Sequence, residues 1–447
     1  MRTVFNHKLL TLAGLCALAC SGCGGWWAAP RTGASAPGPP RAVAAPPDAG
    51  SDELVIRSLE EKVKADPEDF IAHNKLAGYY LRRQRETGEA SYLSLAARAA
   101  EASLAVLPAE HNPGGLALLA QSSYAAHDFA AARDHAERLA AIAPRESYPY
   151  HVLGDALLEL GDYERAAAAF ERLGRLEQFK TVATETRLAR LALLRGETEQ
   201  AARRFEAALA LAHEERVVER ETVAWCRWQL GETAFSVGDY EAAERHYRDA
   251  LTNFPDYHRA LASLARVRAA RGDLAAAVEH YERVTRILPD PTYVAALGDL
   301  YQLTGREREA AAQYALVEKI ARLGEAGGAL HSRQLALFYA DHGLKAEEAY
   351  KAAAREYEAR RDIYGADALA WTALKAGRLD EARAAIREAL RLGTRDARLY
   401  YHAGMIARAA GDRAAARDYL ERALRLNPQF DPLQAAAARE ALAEVST

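Results

Sequence analysis

Four cysteines and 13 histidines are the side chains of this 447-residue chain best suited to nucleophilic or metal chemistry. Cys20 and Cys23 stand at the spacing by which two thiolates clamp one metal ion. The apolar run just before them points instead to processing of a leader. His213-Glu214-Glu215 lacks the second histidine, four residues after the first, that a zinc-protease helix needs. The chain has no phosphate-cradling glycine loop and no nucleophile elbow. Cys226 lies beside Trp225 with no histidine at helical spacing, so a buried, inert thiol is expected. His135, His246 and His280 are scattered over helix faces, where a solvated or half-buried ring is ordinary. These residues predict no enzyme, no cofactor and no metal site.

The elements that carry them fall into three segments. Residues 1–23 read as a leader: Arg2, His7 and Lys8 precede an apolar stretch from Leu9 to Ala19, too short to span a bilayer. The following Ala17-Leu18-Ala19-Cys20-Ser21-Gly22-Cys23 resembles a bacterial lipobox, in which an aliphatic and two small residues precede a cysteine that becomes lipidated. Cys20 and Cys23 are both candidate lipidation sites. Neither is followed by the aspartate of inner-membrane retention, so the resemblance implies the periplasmic side of the outer membrane. Residues 24–51, rich in Pro, Ala and Gly, predict a disordered tether. Residues 52–446 predict helices throughout, because Ala, Leu, Arg and Glu dominate them. The formal net charge of −4 gives no composition-level case for nucleic acid.

Within the third segment one grid recurs. Taking Ala224 as position 1, Leu230-Gly231 falls at 7 and 8, Gly238 at 15, Tyr240 at 17, Ala243 at 20, Tyr247 at 24, Ala250 at 27 and Pro255 at 32. The turn glycines Gly161, Gly196, Gly238, Gly272, Gly305, Gly343, Gly377 and Gly411 follow at steps of 35, 42, 34, 33, 38, 34 and 34. Glycine at 15 supplies the positive φ that stops one helix, and the aspartate after it caps the next. Small residues at 8, 20 and 27 let helices approach, and large ones at 7, 17 and 24 fill between them. One such pair cannot bury its own face, so stacking must supply the core. A first helix over 52–65 and a last one from Asp431 to about Ala443 close the array.

This pattern resembles the tetratricopeptide repeat family over roughly residues 66–430, in about ten copies. The resemblance implies an all-α, right-handed superhelical solenoid with a C-terminal capping helix. It also implies a concave groove, lined by the first helix of each pair, that binds peptides or proteins. Carried onto this chain, the groove positions are Tyr124, Tyr148, His151, Arg190, Trp225, Trp228, Phe235, Arg259, Arg266, Arg333, Tyr364, Trp371 and Tyr401. Asp155, Glu232, Asp299, Gln302, Asp367, Arg398 and Arg408 belong to the same set. Arginine and aromatic side chains supply large contact areas and bidentate hydrogen bonds at interfaces. The expected partners are a protein or peptide and, through the lipid anchor, a membrane. The expected role is a non-enzymatic envelope scaffold. A glycan- or peptidoglycan-binding module, with the aromatics stacked on sugar rings, or an accessory subunit of an envelope enzyme is the alternative reading.

Overall fold

The computed structural model describes residues 49–215, 218–326 and 333–447; the leader, Cys20, Cys23 and nearly all of the tether lie outside them. Among the described residues every regular element is a helix. α1 (Ala49–Ala65) is followed by ten pairs. The first five pairs are α2–α3 (Phe70–Thr87, Ser91–Val106), α4–α5 (Pro113–Ala125, Phe129–Ile142), α6–α7 (Pro149–Glu159, Tyr163–Leu176), α8–α9 (Val182–Leu194, Thr198–Glu214) and α10–α11 (Arg220–Ser236, Tyr240–Asn253). The second five are α12–α13 (His258–Ala270, Leu274–Ile287), α14–α15 (Pro291–Leu303, Glu307–Ala326), α16–α17 (Arg333–Asp341, Ala346–Ala359), α18–α19 (Ile363–Lys375, Leu379–Leu390) and α20–α21 (Ala397–Ala409, Arg413–Leu426). α22 (Gln434–Ser446) closes the array. It starts later than expected: Asp431 lies in the turn before it, its Oδ1 accepting from the Leu433 and Gln434 amides at 2.9 Å each.

The grid works as its chemistry predicts. All eight turn glycines have positive φ. In the one pair whose turn lacks glycine, His127 takes that conformation at φ 64°. Asp162, Asp239, Asp273 and Asp412 each accept from the amide three residues on. Position 8 is small because the ring at position 24 lies on it: a Cβ on Gly231 would enter the Tyr247 ring, and one on Gly154 the Phe170 ring. First helices of successive pairs touch one another, as α10 does α12 and α18 does α20, so they form the inner wall.

The coil also closes on itself. Turns inside a pair rest on loops between pairs eleven helices later: α2/α3 on α13/α14, α6/α7 on α17/α18, α8/α9 on α19/α20, and α10/α11 on α21/α22. Ile363 N–H donates to the Tyr163 hydroxyl across 200 residues of sequence, at 2.8 Å. Arg391 Nη2 donates to the Gly161 carbonyl at 2.7 Å, and Thr394 Oγ1 donates to the Leu194 carbonyl. Asn427 Nδ2 donates to the Phe235 carbonyl at 2.7 Å. One superhelical turn therefore takes five and a half pairs, and successive coils meet along a seam at these four turns.

Candidate functional site

The inner wall is a ladder of polar pairs between neighbouring repeats. Arg187 Nη2 meets Asp155 at 2.7 Å, Arg266 meets Glu232 at 2.7 Å and Arg398 meets Asp431 at 2.9 Å. His402 Nδ1 lies 2.8 Å from Asp367, and His342 Nε2 lies 2.8 Å from Asp299. The partners come from neighbouring repeats, so each pair ties one first helix, or the residues that flank it, to the next. Burial alone would raise the Glu232 pKa, but Arg266 and the Tyr247 and Ser263 hydroxyls hold it below the usual value. For His342 the Asp299 bond likewise outweighs burial and raises the pKa. Sequence reasoning missed this ladder. Its signal was present as opposite charges at the same grid position in consecutive repeats, Glu232 and then Arg266.

The structure places the expected groove residues in three groups. Trp225, Trp228, Phe235, Trp371 and Tyr401 are buried between repeats. Trp225 packs edge-on against Phe205. Trp228 Nε1 donates to Ser263 of the next repeat at 3.0 Å. Trp371 lies flat on the His402 ring at 4.2 Å and donates to Asp341 at 2.7 Å. The expectation of an open aromatic surface is therefore corrected at these five positions. First helices crowd together on the inside of a tight coil, and large rings there fill the gap between repeats instead of facing a ligand.

A second group is locked into the seam. Glu159, 1 % exposed, sits between Arg190 of its own coil and Arg360 of the next, whose Nε is 2.6 Å away. The Tyr124 hydroxyl is 3.5 Å from Glu159. Arg333 meets Asp362 at 2.9 Å and Glu356 at 3.2 Å. His127 adjoins this network; burial, then the Arg360 charge, pushes its pKa down to about 4. His151, near Glu177 at 3.6 Å, and the half-buried Tyr148 are also engaged in packing.

The third group stays accessible. Tyr364 is 39 % exposed, and its hydroxyl feels Asp396 and Asp362 of its own coil and Tyr163 and Arg190 of the other. Arg398 is 40 % and Arg266 33 % exposed at the side chain. Arg259 lies over the Trp228 ring at 5.3 Å and has no ion pair among the described residues. Among those residues no group of three His, Cys, Asp or Glu side chains is placed to hold a metal ion.

Three sequence models of the tetratricopeptide repeat match the chain: one over residues 180–256, a second over 229–290 and 368–430, and a third over 148–178. No curated protein matches it. Among solved structures, the human IFIT1 dimer with PPP-AAAA is similar at 16 % identity, over 77 % of this chain and 87 % of that one, with a TM-score of 0.44. MamA is similar at 20 % identity, over 39 % and 97 % of the two chains, with a TM-score of 0.32. PilW, a widely conserved type IV pilus biogenesis factor, is similar at 15 % identity, over 46 % and 92 %, with a TM-score of 0.40.

Proposed function

This chain belongs to the tetratricopeptide repeat family, a protein-interaction scaffold fold, and on that premise we propose that it is a non-enzymatic, lipid-anchored scaffold of the cell envelope. Its inner wall holds a peptide or a segment of a protein partner while a complex assembles. The observation that carries the binding reading is the accessible part of that wall. Tyr364, Arg266 and Arg398 keep aromatic and guanidinium surface open, and Arg259 is half-buried, whereas Trp225, Trp228, Phe235, Trp371 and Tyr401 are packed away. Arginine and tyrosine are the residue types that most often dominate binding energy at interfaces.

The anchor reading rests on Cys20 and Cys23 after the Leu9–Ala19 run, followed by a proline-rich spacer long enough to hold the solenoid off a surface. No helix among the described residues is long and apolar enough to cross a membrane. Palmitate labelling of Cys20→Ala and Cys23→Ala chains tests the anchor. One of the two is expected to lose the label, and label on neither parent nor variant would sink it. Cross-linking in whole cells tests the groove: Tyr364→Ser is expected to lose the captured partner while the fold is kept. Undiminished capture by that variant would remove Tyr364 from the binding surface.

A further inference from the structure

α15 departs from the other second helices in its length and in what it shows to solvent. α7, α11, α13 and α21 have 14 residues each, whereas α15 has 20. Eleven places past the turn glycine, those four helices carry a charged residue: Arg172, Asp249, Arg283 and Arg422. α15 carries Leu316 there, 37 % exposed, and Leu323 on its extra length is 45 % exposed. Ala312 and Lys319 of the same helix are exposed as well. The side of α15 that faces the core is a different one, where Ala310, Val317 and Ile320 are buried.

The exposed residues form one stripe. Glu309, Ala312, Leu316, Lys319 and Leu323 recur at alternating steps of three and four, the spacing that keeps one seam of a helix facing a second helix. Single apolar side chains on a surface are ordinary, but a stripe of them in register marks a contact. Charge settles how a second α15 would lie on this one. Side by side in parallel, Lys319 would face Lys319 and Glu309 would face Glu309. In the antiparallel arrangement with Leu316 of each copy over Ala312 of the other, Lys319 comes to Glu309 instead. Leu323 then comes to Gly305, where a Cβ would meet nothing within 4 Å, beside Leu303, 42 % exposed. The Glu309 side chain is 47 % exposed and meets Arg306 through Oε1 at 2.9 Å, so Oε2 is open to the lysine.

We propose that the outer stripe of α15 is the contact between two copies of this chain, packed antiparallel about a two-fold axis. Each leucine enters a place left small on the other copy, Leu316 at Ala312 and Leu323 at Gly305, and each lysine meets a glutamate. The surface is complementary to itself, so the contact closes at two copies and builds no filament. α15 is a second helix and lies outside the inner wall, so both inner walls stay open in the pair. This inference depends on neither the anchor nor the groove. If the groove holds a partner, the pair holds two segments of it in one particle and gains from their effective concentration.

The test is sedimentation velocity on the full chain carrying Cys20→Ala and Cys23→Ala, so that neither a lipid nor an N-terminal disulfide joins copies. A contact of one helix face belongs with small, transient interfaces, so a monomer–dimer equilibrium with Kd on the order of 10 µM is expected. Leu316→Glu acts twice in a two-fold contact and should weaken it at least about 100-fold, because it brings a charge against apolar surface. Lys319→Glu and Glu309→Lys should each weaken it about tenfold, and the chain carrying both should recover the parent affinity, since the pair is only reversed. Those two side chains are exposed, so circular dichroism should stay unchanged and the charge exchange still decides the matter if Leu316→Glu unfolds. A parent chain that stays monomeric up to about 100 µM, ten times that Kd, would overturn the proposal. So would a dimer that Leu316→Glu leaves intact, or a double exchange no stronger than either single one. Loss of partner capture through Tyr364→Ser with the dimer kept would touch the groove alone.

Discussion

The seam makes equivalent glycines unequal, and Gly196 and Gly377 form a matched pair to measure it. Both sit at the same grid position, with φ of 74° and 75°. Alanine at either place meets the same left-handed penalty, about 1–2 kcal/mol, and the same change in unfolded-chain entropy. The surroundings differ. A Cβ on Gly377 meets nothing within 4 Å, whereas one on Gly196 would lie 2.6 Å from the Gly393 carbonyl oxygen of the next coil. Ordinary contact begins near 3.4 Å, so the coils must part by about 0.8 Å there. The obstacle is backbone and cannot rotate away. Thr394, 3 % exposed and bonded to the Leu194 carbonyl across the same contact, then loses its partner. Leaving such a pair buried and unmade costs about 1–3 kcal/mol. Gly196→Ala should therefore be less stable than Gly377→Ala by about that amount. Urea titration followed by circular dichroism reads the difference, and small-angle scattering reads whether the coil has opened. Equal midpoints with equal radii of gyration would refute the claim that the seam contributes to stability.

Two further outcomes follow from the same contacts. Glu159→Ala leaves Arg190 and Arg360 facing each other in a buried place, and a loss of about 3–5 kcal/mol is expected by urea titration; a loss below about 1 kcal/mol would show that the pair is hydrated and weak. Burial pushes His127 down to about 4 and His258 down to about 3 from an ordinary value near 6.5. Between those values the unfolded chain binds the extra protons, so stability is full above pH 6.5 and is lost as pH falls toward 4. At about 1.4 kcal/mol per pKa unit the loss is of order 3 kcal/mol for His258 alone. The test is the urea midpoint against pH for wild type and His258→Gln, whose slope between pH 6.5 and 4 should be shallower.

The all-α solenoid, its ten pairs, the positive-φ turns and the aspartate caps could all be read from the sequence. Each depends on residues within one repeat, and the grid states those residues outright. Gly231 against Tyr247 is such a case, because the two positions lie 16 apart, as they do in Gly154 and Phe170, Gly298 and Tyr314, and Gly404 and Leu420. The site was less legible. Trp225 and Trp371 had the type and position of ligand-facing residues, but whether a ring on the inner wall meets solvent or its neighbour depends on how tightly the coil winds. That winding is the sum of small rotations at every repeat interface, and no single repeat encodes it. The same sum brings Glu159 to Arg360, Gly196 to Gly393 and Arg82 to Glu219. The sequence by itself determined the repeat, because its rules are local. Only the tertiary structure decided which wall residues are packed, which are paired and which are left unmatched, because those outcomes join residues as much as 200 positions apart.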